Sequence, residues 1–276
     1  MYLGSAGSLS VAVLSQLLEK TTPPACIATS QVVAVDTLFP PIQHSADPLF
    51  RIAYTQNINY LSFEPKDTHA LAKVIKKLHI KLLVSVCYPV RVDTTACLEV
   101  KTHAYNLHPS RLPQYRGPDP VFWQLRQHES DLGITLHQMS DVWDAGPIVS
   151  QISERWPAPL SYDAICQKIA ARGADMIAEL IHTFSKSGTI QTQAQDTAHS
   201  SYAPWPTAAD SEIRAADWTV RDAQQFIQGL LGRGDPLVVT TSTERFHVRG
   251  VPSVQLSSLT PLSVQFMDGI LWFARE

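Results

Sequence analysis

Leu71-Ala72-Lys73-Val74-Ile75-Lys76-Lys77-Leu78-His79-Ile80-Lys81-Leu82-Leu83-Val84-Ser85-Val86 reads as a helix giving way to a strand. Leu71, Val74, Ile75 and Leu78 recur at the three- and four-residue steps of one helical face, so a helix is expected over Asp67–Leu78. Lys81–Val86 is a short, nearly unbroken apolar run, the kind a parallel sheet buries on both faces. The same alternation extends outward in both directions. Towards the N-terminus, Ala25–Thr29 is a second strand, and Met1–Leu3 is a first one that breaks at Gly4-Ser5-Ala6-Gly7 before a helix over Ser8–Glu19. A polar, Pro-containing stretch separates Ser30 from about Pro48. Towards the C-terminus come a strand at Ala104–Leu107, a Pro- and Gly-rich turn, and a helix over Pro118–His128 with proline near its start. Strands at Gly133–Met139 and Ile148–Ile152 follow, then a long amphipathic helix over Ser161–Ser185. This rhythm predicts an α/β fold with a Rossmann-like parallel sheet.

Residues 191–210 turn to Gln, Thr, Ala, Ser and Pro and read as a linker. Beyond it, a helix over Thr219–Leu230 and three β-like runs, Leu237–Thr241, Arg245–Val248 and Ser263–Phe273, predict a small α+β domain. The expected division is therefore 1–190, a linker over 191–210, and a small domain over 211–276.

Composition narrows the class. The chain has 276 residues, 45% hydrophobic and 17% charged, with a net charge of −3. That apolar content fills a sizeable core and excludes disordered and fibrous classes. No run approaches the roughly 18–20 apolar residues of a membrane span, and the start shows no basic segment ahead of an apolar one. Cys26, Cys87, Cys97 and Cys166 lie far apart with no CxxC pair, which reads as free thiols of a reducing compartment. A soluble, cytoplasmic protein that binds neither membrane nor DNA is expected.

Chemistry concentrates in two segments. In Tyr105-Asn106-Leu107-His108-Pro109-Ser110-Arg111-Leu112-Pro113-Gln114-Tyr115-Arg116-Gly117, Asn106 and His108 stand two apart at the end of a strand and so project to one side. An amide donor and an imidazole converging there polarise a carbonyl and move a proton at neutral pH. Equally, both side chains satisfy the backbone of a Pro-rich loop. The second segment is Ser140-Asp141-Val142-Trp143-Asp144-Ala145-Gly146-Pro147, in which Asp144 either fixes the state of His108 or stabilises a turn that Gly146 bends. The Gly4-Ser5-Ala6-Gly7 loop lacks the GxGxxG spacing of a dinucleotide site, and a tight turn into a helix accounts for its glycines as well. The ten histidines show no zinc-type spacing, so no metal is expected.

Taken together, the two segments resemble the folate-dependent formyltransferase family. That family carries Asn-x-His-x-Ser-Leu-Leu-Pro-x-Tyr-Arg-Gly and, some thirty-odd residues later, Asp-x-Gly. The chain supplies Asn106, His108, Ser110, Leu112, Pro113, Tyr115, Arg116 and Gly117, then Asp144 and Gly146. Gly133–Met139 is similar to the family's strand before the aspartate, and Val86–Val92 to its folate-contacting loop. Arg111 departs from the usual leucine. The likeness covers residues 1 to 190 well and continues more weakly into the small domain, at Ala216-Asp217-Trp218, towards a barrel-like C-terminal domain. The resemblance implies a catalytic domain over 1–190 and 10-formyltetrahydrofolate as formyl donor, without a metal. By the same resemblance, Asn106 would hydrogen-bond the formyl oxygen and stabilise the tetrahedral oxyanion, and His108 would polarise that oxygen and assist proton movement. Asp144 would orient His108 and relay the amine's proton. Tyr88, Pro89, Val90, Arg91 and Val92, with Ser140, Asp141 and Val142, would hold the cofactor, and Ser110, Tyr115 and Trp143 would face the acceptor.

Acceptors within that family include initiator methionyl-tRNA, amino-sugar nucleotides and other amines, and some relatives hydrolyse the folate. A tRNA binder needs a basic, phosphate-facing surface. Between Lys20 and Arg51 there is no lysine or arginine, and residues 211–276 hold no lysine, with six arginines against seven acidic residues. A small-molecule amine is the expected acceptor, with methionyl-tRNA, hydrolysis and a non-catalytic folate-binding role as alternatives. Trp123, Trp143 and Trp205 either stack on an acceptor or pack the core, Trp143 standing beside Asp144.

Overall fold

The computed structural model describes residues 1–30, 47–64, 68–155, 159–231, 233–234, 236–255 and 262–274. Most of the polar stretch expected between Ser30 and Pro48 lies outside the described residues, as does the first residue of the helix expected from Asp67. Contacts divide the chain into two compact units: 1–114, 133–152 and 166–200 form the first, and 115–132, 153–165 and 201–276 the second.

A seven-stranded sheet is built from β1 (Tyr2–Gly4), β2 (Cys26–Ser30), β3 (Asn59–Phe63), β4 (Leu82–Val86), β5 (His103–His108), β6 (Asp131–Gln138) and β7 (Ile148–Arg155), in the order β3-β2-β1-β4-β5-β6-β7. The first five strands pair in parallel and bury most of their residues, as a two-sided sheet requires. The mixed α/β architecture matches the sequence reading; the differences are that β6 runs antiparallel to β5 and that β3, Pro48–Thr55 and Thr94–Glu99 are elements the sequence pattern did not mark. The helices in chain order are α1 (Ser8–Lys20), α2 (Pro48–Thr55), α3 (Thr68–Lys77), α4 (Thr94–Glu99), α5 (Pro120–Arg126) and α6 (Tyr162–Ser187). At the first turn, Tyr2 donates its hydroxyl proton to the Ser10 carbonyl at 2.6 Å, and the Ser5 amide donates to Ser10 Oγ at 3.2 Å. A Cβ on Gly4 would sit 2.4 Å from that same oxygen, so close packing accounts for this glycine.

Within the first unit, alternation along β5 decides which face carries chemistry. Tyr105 and Leu107 are buried, and α6 approaches so closely that a Cβ on Gly173 would lie 2.4 Å from Leu107 Cδ2. Burying a leucine this way contributes about 1.5–3 kcal/mol and fixes the strand's orientation. Asn106 and His108 are thereby committed to the opposite face.

The second unit carries α5, α7 (Val220–Leu230) and a three-stranded sheet of β8 (Glu212–Arg214), β9 (Val238–Thr240) and β10 (Arg245–His247). The run expected as one strand over Ser263–Phe273 is a hairpin, β11 (Leu262–Gln265) with β12 (Ile270–Phe273), because Asp268-Gly269 turns the chain.

Candidate active site

Register builds the site in a row. Ser85 on β4 is paired with Asn106 on β5, and Asn106 with His137 on β6, so three polar side chains cross the same face of three strands. All three line a narrow cleft, closed elsewhere by Tyr88, Val90, Arg91, Val92, Met139, Ser140, Trp143 and Asp144. Its empty volume is about 430 Å³ out to solvent. A wider groove, with an empty volume of about 1480 Å³, runs along residues 111–114, 148–151, 191–196 and 199, but it lacks the converging buried groups of the cleft. The chemistry therefore points to the smaller space.

Asp144 is the hub. Its Oδ1 lies 3.4 Å from Asn106 Nδ2, which donates to it, and 3.6 Å from both His108 Nδ1 and His137 Nε2. The two 3.6 Å separations exceed a hydrogen bond and set charge within reach without locking it. Asp144, His108 and His137 are 7%, 4% and 2% exposed, so these groups interact with little screening by water. His137 Nδ1 is 2.9 Å from the Gln138 carbonyl, which only a donor satisfies. Nε2 then accepts from Asn106 Nδ2 at 3.2 Å, and the asparagine amide is fixed with its nitrogen in the cluster.

The loop that carries Asp144 is tightly made. Asp144 adopts φ +54°, a left-handed conformation uncommon for a residue with a side chain. A Cβ on Gly146 would come within 1.8 Å of the Gln138 carbonyl oxygen, so only glycine lets the chain return there. In the same loop, Asp141 Oδ1 accepts from Thr94 Oγ1 at 2.5 Å, and Arg91 lies 3.6 Å from the same oxygen. Burial pushes the Tyr88 phenol up, so it stays protonated at neutral pH.

The expected site residues separate accordingly. Asn106, Asp144, Tyr88, Val90, Arg91, Val92, Ser140 and Trp143 line the cleft, and His108 stands behind Asp144. Pro89, Asp141 and Val142 are not among the lining residues. Ser110 is buried away from the cleft, donating to the Gln114 carbonyl at 2.7 Å, and Tyr115 groups with the second unit, where its hydroxyl donates to Glu129. Ser85, His137 and Met139 were not singled out from the sequence; the cross-strand register alone identifies the first two. Among the described residues, no group of three or more His, Cys, Asp or Glu is placed to hold a metal ion.

Residues 38–181, more than half of the chain, match the family described as formyl transferase. A methionyl-tRNA formyltransferase from Roseiflexus sp. (strain RS-1) is 32% identical over 114 residues, which are 41% of this chain and 34% of that protein. Among solved structures, the N-formyltransferase from Helicobacter canadensis, in complex with folinic acid and dTDP-3-aminofucose, superposes with a TM-score of 0.67 at 16% identity, over 99% of this chain and 97% of that one. HypX from Aquifex aeolicus, in complex with tetrahydrofolic acid, gives a TM-score of 0.63 at 12% identity, over 99% of this chain and 43% of that one. The match thus spans about a third of the curated relative, and the chain less than half of HypX. At these identities the solved structures speak for the fold, and the extended sequence match for descent. The chain belongs to the formyl transferase family.

Proposed function

We propose that the protein is a 10-formyltetrahydrofolate-dependent N-formyltransferase acting on the primary amine of a small molecule, an amino-sugar nucleotide or an amino-acid-derived amine. The observation that carries this reading is the convergence of Asn106, His108 and Asp144 beside a cleft with one mostly apolar wall. Tyr88, Val90, Val92 and Met139 present a surface suited to a flat pterin ring, and Ser140 and the adjoining backbone offer polar contacts at its edge. When bound, the formylfolate supplies an activated amide carbonyl. Asn106 donates an N–H to its oxygen, exchanging the long contact with Asp144 for a shorter one as negative charge develops. His108 supports the same oxygen and holds a proton; Asp144 orients His108 and receives the proton that the amine loses on attack. That proton passes to the departing folate nitrogen as the C–N bond breaks, leaving a formamide and tetrahydrofolate.

In this reading residues 1–190 make up the catalytic part, 191–210 connect, and 211–276 form an appended domain. Pro89, Asp141 and Val142 adjoin the cofactor side and Trp143 the acceptor side, whereas Ser110 and Tyr115, engaged with Gln114 and Glu129, are left out of this reading. Trp143, 53% exposed at the cleft rim, is the best placed of these to stack on an acceptor. A small acceptor is favoured by the missing lysines and arginines between Lys20 and Arg51 and the lysine-free C-terminal segment. Methionyl-tRNA is the second reading, favoured by the 32% identity to the Roseiflexus enzyme. No helix among the described residues is long and apolar enough to cross a membrane, and the cytoplasm is the proposed location.

The test is tetrahydrofolate release from 10-formyltetrahydrofolate, alone, with charged initiator tRNA, and with pools of amino sugars and amino acids. Release that requires a small amine supports the proposal; release with tRNA alone, or with no acceptor, replaces it by the transferase or hydrolase alternative. His108→Ala and Asp144→Ala are expected to lower turnover by about 10²–10⁴-fold with the fold retained. Asn106→Ala is expected to cost about 10²–10³-fold, the loss of one oxyanion donor. Wild-type-like turnover in any of the three contradicts the mechanism.

A further inference from the structure

The segment with linker composition holds the residue that sets the catalytic aspartate. Gln195 Nε2 lies 2.8 Å from the Asp144 carbonyl oxygen and 2.7 Å from that of Gly146, and its amide N–H groups donate to both. We propose that Gln195 is a positioning residue that clamps the Asp144 turn in its working conformation; this rests on the role given to Asp144 above.

Three observations carry it. First, Asp144 stands at φ +54°, and such backbone persists only where its surroundings hold it. Within the turn itself the Ala145 amide reaches the Val142 carbonyl at a long 3.3 Å, while the two carbonyls around Ala145 both point to Gln195. Second, Gln195 is itself anchored. Two residues earlier, Gln193 exchanges both backbone hydrogen bonds with Ile148 at the start of β7, at 2.7 and 2.8 Å. One residue later, Asp196 caps a single 3-10 turn, accepting from the Ala198 amide at 3.0 Å. The strap therefore delivers the amide from a fixed frame. Third, the chemistry selects glutamine. Two carbonyls call for one group with two N–H donors, which a glutamate lacks, and asparagine falls a methylene short.

Loss of the clamp frees the backbone on which the Asp144 carboxylate is aimed at His108 and Asn106, while the walls of the cleft, which Gln195 does not line, stay in place. The consequence falls on the chemical step rather than on cofactor binding.

The experiment compares wild type with Gln195→Met, which keeps length and removes both donors, and with Asp144→Asn. Turnover of Gln195→Met is expected to fall at least about tenfold with KM for the folate within about twofold. Ring-nitrogen NMR of His108 is expected to move from the wild-type signature towards that of Asp144→Asn, a readout that needs no turnover. A His108 spectrum in Gln195→Met that overlays on wild type overturns the proposal, as does a loss of kcat matched by an equal rise in KM and a collapsed melting temperature. If wild type fails to release tetrahydrofolate, the functional reading falls, and the His108 spectra still decide whether Gln195 sets Asp144.

Discussion

Asn106 illustrates how one amide is given a direction. Its nitrogen has two protons, and both are claimed by the cluster, one by His137 Nε2 at 3.2 Å and one by Asp144 at 3.4 Å. The tautomer of His137 follows from the Gln138 carbonyl at its other ring nitrogen, so a backbone oxygen ultimately decides how the asparagine amide is turned in the cleft. His137→Leu keeps the core filled and removes this acceptor. It is expected to lower turnover by about tenfold, the order of one buried hydrogen bond of roughly 1–1.5 kcal/mol, with a melting temperature within a few degrees of wild type. Single-turnover kinetics with formylfolate measure it. The convergence of Asn106, His108 and Asp144 was legible only through the family resemblance, because their spacing by itself equally fits a Pro-rich loop and an Asx turn. His137 was visible only as part of a strand, because alternation assigns a face but not the partner across it. Gln195 was hidden further, since a Gln- and Thr-rich stretch carries no periodicity to betray a fixed contact.

At the scale of elements, the turn after β6 is held by space as well as by hydrogen bonds. Gly146→Ala would drive a methyl to 1.8 Å from the Gln138 oxygen, so the turn has to move and Asp144 with it. An expected loss of about 1–3 kcal/mol in unfolding free energy, the scale of an overpacked site, accompanies at least a hundredfold drop in turnover. Urea unfolding and steady-state assays check the two halves, and a variant with normal turnover contradicts the importance of the turn. The α/β alternation itself was plain from the apolar runs. What the pattern left out was short or directional. α2 and α4 span eight and six residues, too brief for a helical stripe to declare itself, though Asp47 and Asp93 cap them. The antiparallel direction of β6 leaves no mark in a run of buried residues, since burial does not depend on which way the chain travels.

For the molecule as a whole, the second unit keeps its own buried ion pair. Arg233 Nη2 lies 2.6 Å from Asp119 Oδ2 and Nη1 lies 3.1 Å from Oδ1, a two-pronged contact at low exposure. Asp119 also caps α5, accepting from the Phe122 amide at 3.4 Å, while the Arg233 guanidinium covers the Tyr162 ring at 5.0 Å. Arg233→Met leaves the carboxylate buried without its cation, and a loss of about 3–5 kcal/mol is expected in chemical denaturation. A loss below about 1 kcal/mol would mean that water reaches Asp119 and that the pair is ornamental.

The second unit is also drawn from three stretches of chain, 115–132, 153–165 and 201–276, threaded between pieces of the first. For protein engineering and for gene recombination this interleaving sets the permissible exchanges. A chimaera made at a single junction between residues 115 and 276 inherits its second unit from two parents whose side chains never packed together, and one made earlier divides the first unit instead. The packing of that unit passes intact between relatives only when all three stretches are transplanted at once.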